Sequence, residues 1–368
     1  MRFPEFTGEW QKYSLGEIGE TIIGLTYKPS DVVENNGTIV FRSSNIKNGE
    51  IDYSDLVRVN KPIKDRIITT ENDILVCARN GSQRLIGKNA IIKKEDANNT
   101  FGAFMMVYRS NENSFIRPLL STKRYFSQVG ENLGARINQI TTSDFNGFEF
   151  YFPDNHIERT KIAKLFRLID DRIVSQNKII EKLESLIRGI YKTLLGESDQ
   201  YRYLDELCEI KKGVQVNKEE LSEKGLYYVM NGGITPSGYY DLYNTEANTI
   251  SISEGGNSCG YVQYNYTPFW SGGHCYTLEN ISDVVDDRYL FHYLKANELQ
   301  IMSLRIGSGL PNIQKKDLSA FRIPLPALNK QINIAKALDA LLYKITVDKN
   351  IYSTYKQQKE YLLQQMFI

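Results

Sequence analysis

The chain has 368 residues, with 45 Lys and Arg against 44 Asp and Glu and an apolar fraction of 41%, which predicts a soluble protein of two or three domains. Met1-Arg2-Phe3-Pro4-Glu5 lacks the apolar core of a signal peptide. No stretch approaches the roughly 20 apolar residues of a membrane span, so a cytoplasmic protein with no membrane partner is expected. Cys77, Cys208, Cys259 and Cys275 lie scattered without paired spacing, which fits buried reduced thiols and not a disulfide framework.

Read in order, the chain repeats itself. Leu15-Gly16-Glu17-Ile18-Gly19-Glu20 followed by Gly24 opens the first half, and Leu204-Asp205-Glu206-Leu207-Cys208-Glu209 followed by Gly213 opens the second at the same spacing. Short β-type runs follow at Thr38 to Phe41, Asp73 to Cys77 and Met105 to Tyr108, and again at Tyr227 to Met230, Thr249 to Ser253 and Cys275 to Leu278. Gly, Asn and Ser clusters between them mark turns. One amphipathic helix is predicted over Ile116 to Val129 and its counterpart over Arg288 to Ser303. Gly134 to Ile140, followed by Asp144, Phe148 and Pro153, then aligns with Gly307 to Ile313, followed by Asp317, Phe321 and Pro326. Strand-like runs at Phe148 to Phe152 and Phe321 to Leu325 lead on into long helices.

The first long helix is predicted over Ile157 to Leu195, roughly 58 Å at 1.5 Å per residue, with Asn155 as cap and Glu158 completing a capping box. The second runs from Asn329 to Phe367, with Asn329 as its cap. Phe166, Ile169, Ile173, Gln176, Ile180, Leu183, Ile187, Ile190 and Leu194 step by three and four, as a heptad seam does. A shift of 172 places Leu338, Leu341, Ile345, Asp348, Tyr352, Tyr355, Lys359, Leu362 and Met366 on the same seam. A flaw near the middle of each helix repeats as well, since Gln176 falls on Asp348. If a twofold axis relates the halves, the helices run antiparallel and these two residues meet, a device that fixes register at a cost in stability. The alternative is two solvent-tolerant positions in an imperfect core.

The repeated order, the Gly-x-x-x-Asn/Gln-Ile segment leading into a long helix, and the strand-and-loop pieces around Arg42-Ser43-Ser44-Asn45 and Ile250 to Val262 resemble the specificity subunits of type I restriction–modification systems. The resemblance covers essentially the whole chain, although no single short motif in it is diagnostic. It implies an α+β architecture: target recognition domains over residues 1–153 and 201–326, a central helix over 154–195, a linker over 196–200 and a C-terminal helix over 327–368. The helices would pair as an antiparallel coiled coil with pseudo-twofold symmetry. The family resemblance further implies binding to double-stranded DNA at a split, asymmetric site, with helices that set the gap and dock two modification subunits. Those partners would methylate adenine with S-adenosylmethionine, restriction subunits in the full complex would use ATP and Mg, and this chain would carry no cofactor and no catalytic residue.

Base edges are told apart by Arg or Lys on guanine and by Asn or Gln on adenine, while phosphates take Lys, Arg, Ser and main-chain amides. In the first half these types gather at Arg79, Asn80, Ser82, Gln83 and Arg84, at Arg136, Asn138 and Gln139, and at Arg42, Ser43 and Asn45. In the second half the candidates are Lys211 and Lys212, Asn231, Asn257 and Ser258, Arg305 and Ser308, and Asn312, Gln314, Lys315 and Lys316. Each could instead be an ordinary solvated surface group.

Other chemistries find little support. There is no Pro-Pro pair to build the loop that holds a flipped base in amino-methyltransferases. Gly81 to Asn89 has one residue too many between its glycines for a phosphate loop and lacks the Ser or Thr that ligates magnesium, and Gly255 to Gly260 has the wrong spacing for a dinucleotide turn. The latter reads as a mobile loop. Cys259, His274 and Cys275 match no common zinc spacing, and the three histidines form no nucleophile and base pair. The remaining alternative is a protein-binding scaffold with a tandem coiled coil.

Overall fold

A computed structural model describes residues 2–133, 138–195, 198–307 and 311–367. The chain folds into two compact units, one of residues 1–175 with 352–368 and one of residues 176–351. Each long helix is therefore divided between the two.

Unit 1 is built on a four-stranded antiparallel sheet in the order Glu20–Ile23, Met105–Arg109, Ile74–Cys77, Asn89–Ile91. The central run Ile74–Cys77 is buried along its whole length, so a continuous apolar sequence, not an alternating one, specifies it. A second sheet pairs Thr38–Phe41 in parallel with Thr100–Phe101, and Trp10–Ser14 pairs antiparallel with Glu149–Pro153. Unit 2 uses the same plan. Its sheet runs Glu209–Lys212, Cys275–Glu279, Thr249–Ser253, Val262–Asn265, Tyr227–Met230 pairs in parallel with Trp270–Ser271, and Tyr201–Tyr203 pairs with Arg322–Pro324.

The matched glycines have a structural reason. A Cβ on Gly24 would lie 2.3 Å from the carbonyl oxygen of Gly102, and one on Gly213 would lie 2.3 Å from that of Gly272. Both contacts lie far inside van der Waals range, and they let neighbouring main chains bond: Leu25 N donates to Phe101 O at 2.7 Å, and Val214 N to Ser271 O at 2.8 Å.

Each predicted amphipathic helix is in fact two. Asn113–Leu119 and Lys123–Leu133 are separated at Thr122, whose hydroxyl accepts from Tyr125 N and so caps the second. Asp287–Ala296 and Glu298–Ser303 are separated at Asn297. The first of that pair is capped by Asp286, which accepts from Tyr289 N at 2.8 Å.

The long helices span His156–Leu194 and Leu328–Met366. Asn155 does cap the first, its Oδ1 accepting from Ile157 N. Glu158 departs from the capping-box expectation: both of its carboxylate oxygens receive Arg2, from Nε and Nη2 at 2.6 Å each. Asn329 also departs, because it lies inside the first turn and Ala327 O takes the first amides. Every described seam residue of both helices is buried or half-buried except Leu194, which is 38% exposed.

In unit 1, Phe166 stacks on Phe367 with centroids 5.6 Å apart, Asp170 pairs with Lys359 at 2.7 Å and the Arg172 guanidinium lies over Tyr355. Numbers rise on one helix as they fall on the other, so these segments run antiparallel. They close an aromatic core of Phe115, Tyr125, Phe145, Phe148 and Phe150. In unit 2, Ile187 joins Leu338 and Ile345 in a mainly aliphatic core with Leu204, Ile250 and Ile313. The burial of these stripes, more than intrinsic helix propensity, stabilises helices of this length.

Candidate nucleic-acid interface

In unit 1 the strand Ile74–Cys77 runs out into the loop that begins Ala78-Arg79-Asn80. The segment after residue 137 clips this loop: Ile140 N donates to Ala78 O at 2.9 Å and Asn80 N to Asn138 O at 3.3 Å, with Arg79 facing Gln139. Unit 2 repeats the clip. Ile313 N donates to Glu254 O at 2.8 Å and Gly256 N to Pro311 O at 3.0 Å, with Gly255 facing Asn312. The same main-chain bonds therefore bring together segments predicted separately in both units, and in unit 1 the Asn138 side chain adds to them, its Nδ2 donating to Gly81 O at 3.0 Å.

A third segment joins each clip. Asn80 Nδ2 donates to Ser43 Oγ at 2.9 Å, and the open groove so formed, of roughly 710 Å³, is lined by Arg42, Ser43, Arg79, Asn80, Phe104 and Asn138 among others. In unit 2, Ser253 Oγ donates to Gly232 O at 2.8 Å and Asn231 Oδ1 accepts from His274 N at 3.1 Å, which sets Asn231 beside the Gly255 and Asn312 strip.

Several candidates turn inward. Asn45 is fully buried: its Oδ1 accepts from Arg42 N and its Nδ2 donates to Asp52 O and Asp55 O, so it pins a turn and cannot meet a base. Asn80 Oδ1 accepts from Ser82 N, another local turn bond. Arg42 pairs with Asp55 at 2.8 Å. Lys211 and Lys212 sit on a strand and pair with Glu279 at 3.3 Å and Glu254 at 2.5 Å, so neither is an uncommitted phosphate ligand.

Others stay outward. Gln83 and Arg84 are exposed on a short turn beyond the groove lining, and Asn257, Arg305, Asn312, Gln314, Lys315 and Lys316 are exposed in unit 2. Ser258 is half-buried, and its carbonyl accepts from Tyr261 N. The Gly255 to Gly260 segment is a bonded turn instead of an open mobile loop: Cys259 N reaches Gly256 O, and Gly260 N reaches Ser253 O at 2.8 Å. Arg136 and Ser308 lie outside the described residues.

Two participants were not foreseen. Phe104 is 60% exposed at the groove, with the Arg79 guanidinium 5.1 Å from its ring centroid. Within Phe101-Gly102-Ala103-Phe104-Met105 it reads as strand, and only the Gly-Ala pair hints at a turn. Glu254 is almost fully buried, beside Lys212, Tyr276 and His274; its signal was an acidic residue directly following the strand Thr249–Ser253. The Cys259 thiol donates to the Glu254 carbonyl, and burial pushes the Cys77 and Cys275 thiols up to about 11.

No helix of the described residues is long and apolar enough to cross a membrane. The family described as type I restriction modification DNA specificity domain matches residues 7–185 and 198–356. The chain belongs to that family, and its two matches coincide with the two repeats seen in the structure. A putative type I specificity subunit of Mycoplasma pneumoniae is 38% identical over 39% of this chain. The aligned part spans 38% of that relative's own length. A putative type I restriction enzyme specificity subunit of Methanocaldococcus jannaschii is 27% identical over 92% of this chain and 88% of its own. In fold, the chain resembles the crystal structure of a type I restriction–modification S subunit from M. genitalium, with a TM-score of 0.74 at 19% identity over 100% of this chain and 99% of that one.

Proposed function

We propose that this chain is the sequence-specific DNA-binding specificity subunit of a type I restriction–modification complex, each unit reading one half of a split, asymmetric duplex site. The observation that carries this reading is the clip made twice by the same main-chain bonds, with different residues facing each other on it: Arg79 and Gln139 on one, Gly255 and Asn312 on the other. A constant frame with a variable display is what two readers of two different half-sites need.

In this reading the long helices pair as an antiparallel coiled coil that sets the gap between half-sites and docks two modification subunits. The chain is non-catalytic and works in the cytoplasm. S-adenosylmethionine, ATP and Mg belong to the modification and restriction subunits. Its balanced charge is compatible with DNA binding if the partners close on the duplex and supply much of the basic surface, since phosphate contact drives affinity through counterion release.

The test is single-base mapping of DNA methylation in cells expressing the chain with its neighbouring methyltransferase. A split adenine-methylated motif with a fixed gap is expected. With partner expression verified, the absence of any such motif overturns the reading in favour of a protein-binding scaffold.

A further inference from the structure

Arg79 differs from the other cation in its groove. Among the described lining residues only Arg42 and Arg79 carry positive charge, and Arg42 is committed to Asp55. Among the described residues the Arg79 guanidinium meets only the face of Phe104, and its main chain is fixed to the same residue, Arg79 N donating to Phe104 O at 3.0 Å. A planar fork resting on a ring keeps its N–H groups directed outward and loses little further freedom on binding.

The neighbours tell base from phosphate. A phosphate site is built from several cations and amides, whereas the described residues of this groove offer one uncommitted cation among the amides Asn80 and Asn138 and the apolar Phe104. One bidentate fork beside amide groups matches the O6 and N7 acceptors of guanine in the major groove. At the equivalent place in unit 2, facing Asn312, stands Gly255, which has no side chain.

Resting on the DNA-reading assignment above, we propose that Arg79, seated on Phe104, is a specificity-determining residue that reads one guanine, and that this guanine lies in the half-site of unit 1 only. Phe104 acts as its positioning residue.

The experiment uses the full chain with its methyltransferase partner, as wild type and as Arg79→Gln, Arg79→Lys and Phe104→Ala, by methylation mapping and by competition binding with single-base-substituted duplexes. Wild type should require guanine at one fixed position of one half-site. Arg79→Gln should lower discrimination there on the order of 10- to 100-fold and leave the other half-site and the gap unchanged. Arg79→Lys and Phe104→Ala should relax the same position in part. An unchanged motif in an assembled Arg79→Gln protein overturns the proposal. So does a uniform weakening across all sequences with a salt slope lower by about one, the mark of a phosphate contact. Failure of the DNA-reading assignment looks different, because wild type itself would then show no split motif.

Discussion

Gln176 and Asp348, one from each long helix, are hydrogen-bonded, with Gln176 Nε2 2.9 Å from Asp348 Oδ1. Asp348 is only 2% exposed, and Lys344 at 2.8 Å is its other partner. Lys344 foremost, with Gln176, holds this carboxyl below its usual range against the cost of burial. Gln176→Leu should therefore destabilise the protein by about 1–3 kcal/mol, since it strips a buried carboxylate of a donor. The double change Gln176→Leu with Asp348→Leu should recover that loss or exceed wild-type stability while freeing the register. A double-mutant cycle on denaturation midpoints measures the coupling. Strict additivity would mean that the pair contributes nothing.

The close main-chain approaches at Gly24 and Gly213 predict a sharp contrast among glycines. Gly24→Ala and Gly213→Ala should each cost about 1–3 kcal/mol or more, because the new methyl meets a carbonyl oxygen already bonded in a turn, that of Gly102 to Met105 N or that of Gly272 to Cys275 N. Gly102→Ala, whose nearest atom would be 3.8 Å away, should fall within about 0.5 kcal/mol of wild type. Chemical denaturation of the three variants decides; equal effects would remove the argument from close approach.

His292 is fully buried in unit 2, its Nε2 2.8 Å from Asp339. Burial lowers its pKa below the ordinary histidine value, with Asp339 pulling the other way and Arg288 adding to the depression. The unfolded chain then binds its proton first as pH falls. Stability should be constant above about pH 6.5 and decline below it, with a slope contribution of at most about 1.4 kcal/mol per pH unit. His292→Gln should remove that contribution, as read from denaturation midpoints between pH 7.5 and 5. An unchanged slope would assign the acid sensitivity elsewhere.

If the helices are rulers, inserting one heptad into each, near Ser175 and near Ile351, should lengthen the gap by about three base pairs, since seven residues add roughly 10.5 Å and base pairs stack every 3.4 Å. Replacing residues 1–153 with the corresponding domain of a different relative should change one half-site and keep the gap. Methylation mapping reads both outcomes. A constant gap after the insertions, or two altered half-sites after the exchange, would contradict this division of labour.

The parts of the fold legible in the sequence were those set by burial alone. Thr38–Phe41, Tyr227–Met230 and Thr249–Ser253 carry the predicted bounds because apolar or β-branched runs end there at turn residues. The seam was legible for the same reason. Thr122 and Asn297 were not, because a polar residue within an amphipathic pattern serves equally as a solvated helix position or as a break, and packing decides. At the candidate site, side-chain chemistry gave types but not availability. Asn45 and Asn138 are equally good base readers on paper, yet Asn45 spends its whole amide on its own turn, while Asn138 commits its Nδ2 to Gly81 O and no bond to its Oδ1 is seen among the described residues. Phe104 was hidden because the turn that exposes it depends on Gly102 N reaching Phe41 O, sixty-one residues back in the chain.

The clips that hold Ala78 to Ile140 and Glu254 to Ile313 consist of amide and carbonyl groups, which nearly every residue supplies. A coding change at Arg79 or Asn257 therefore alters what is displayed at little cost to folding. Such a scaffold can drift: single substitutions give neighbouring specificities in viable proteins, without the unfolded intermediates that a side-chain-built frame would force a lineage to cross.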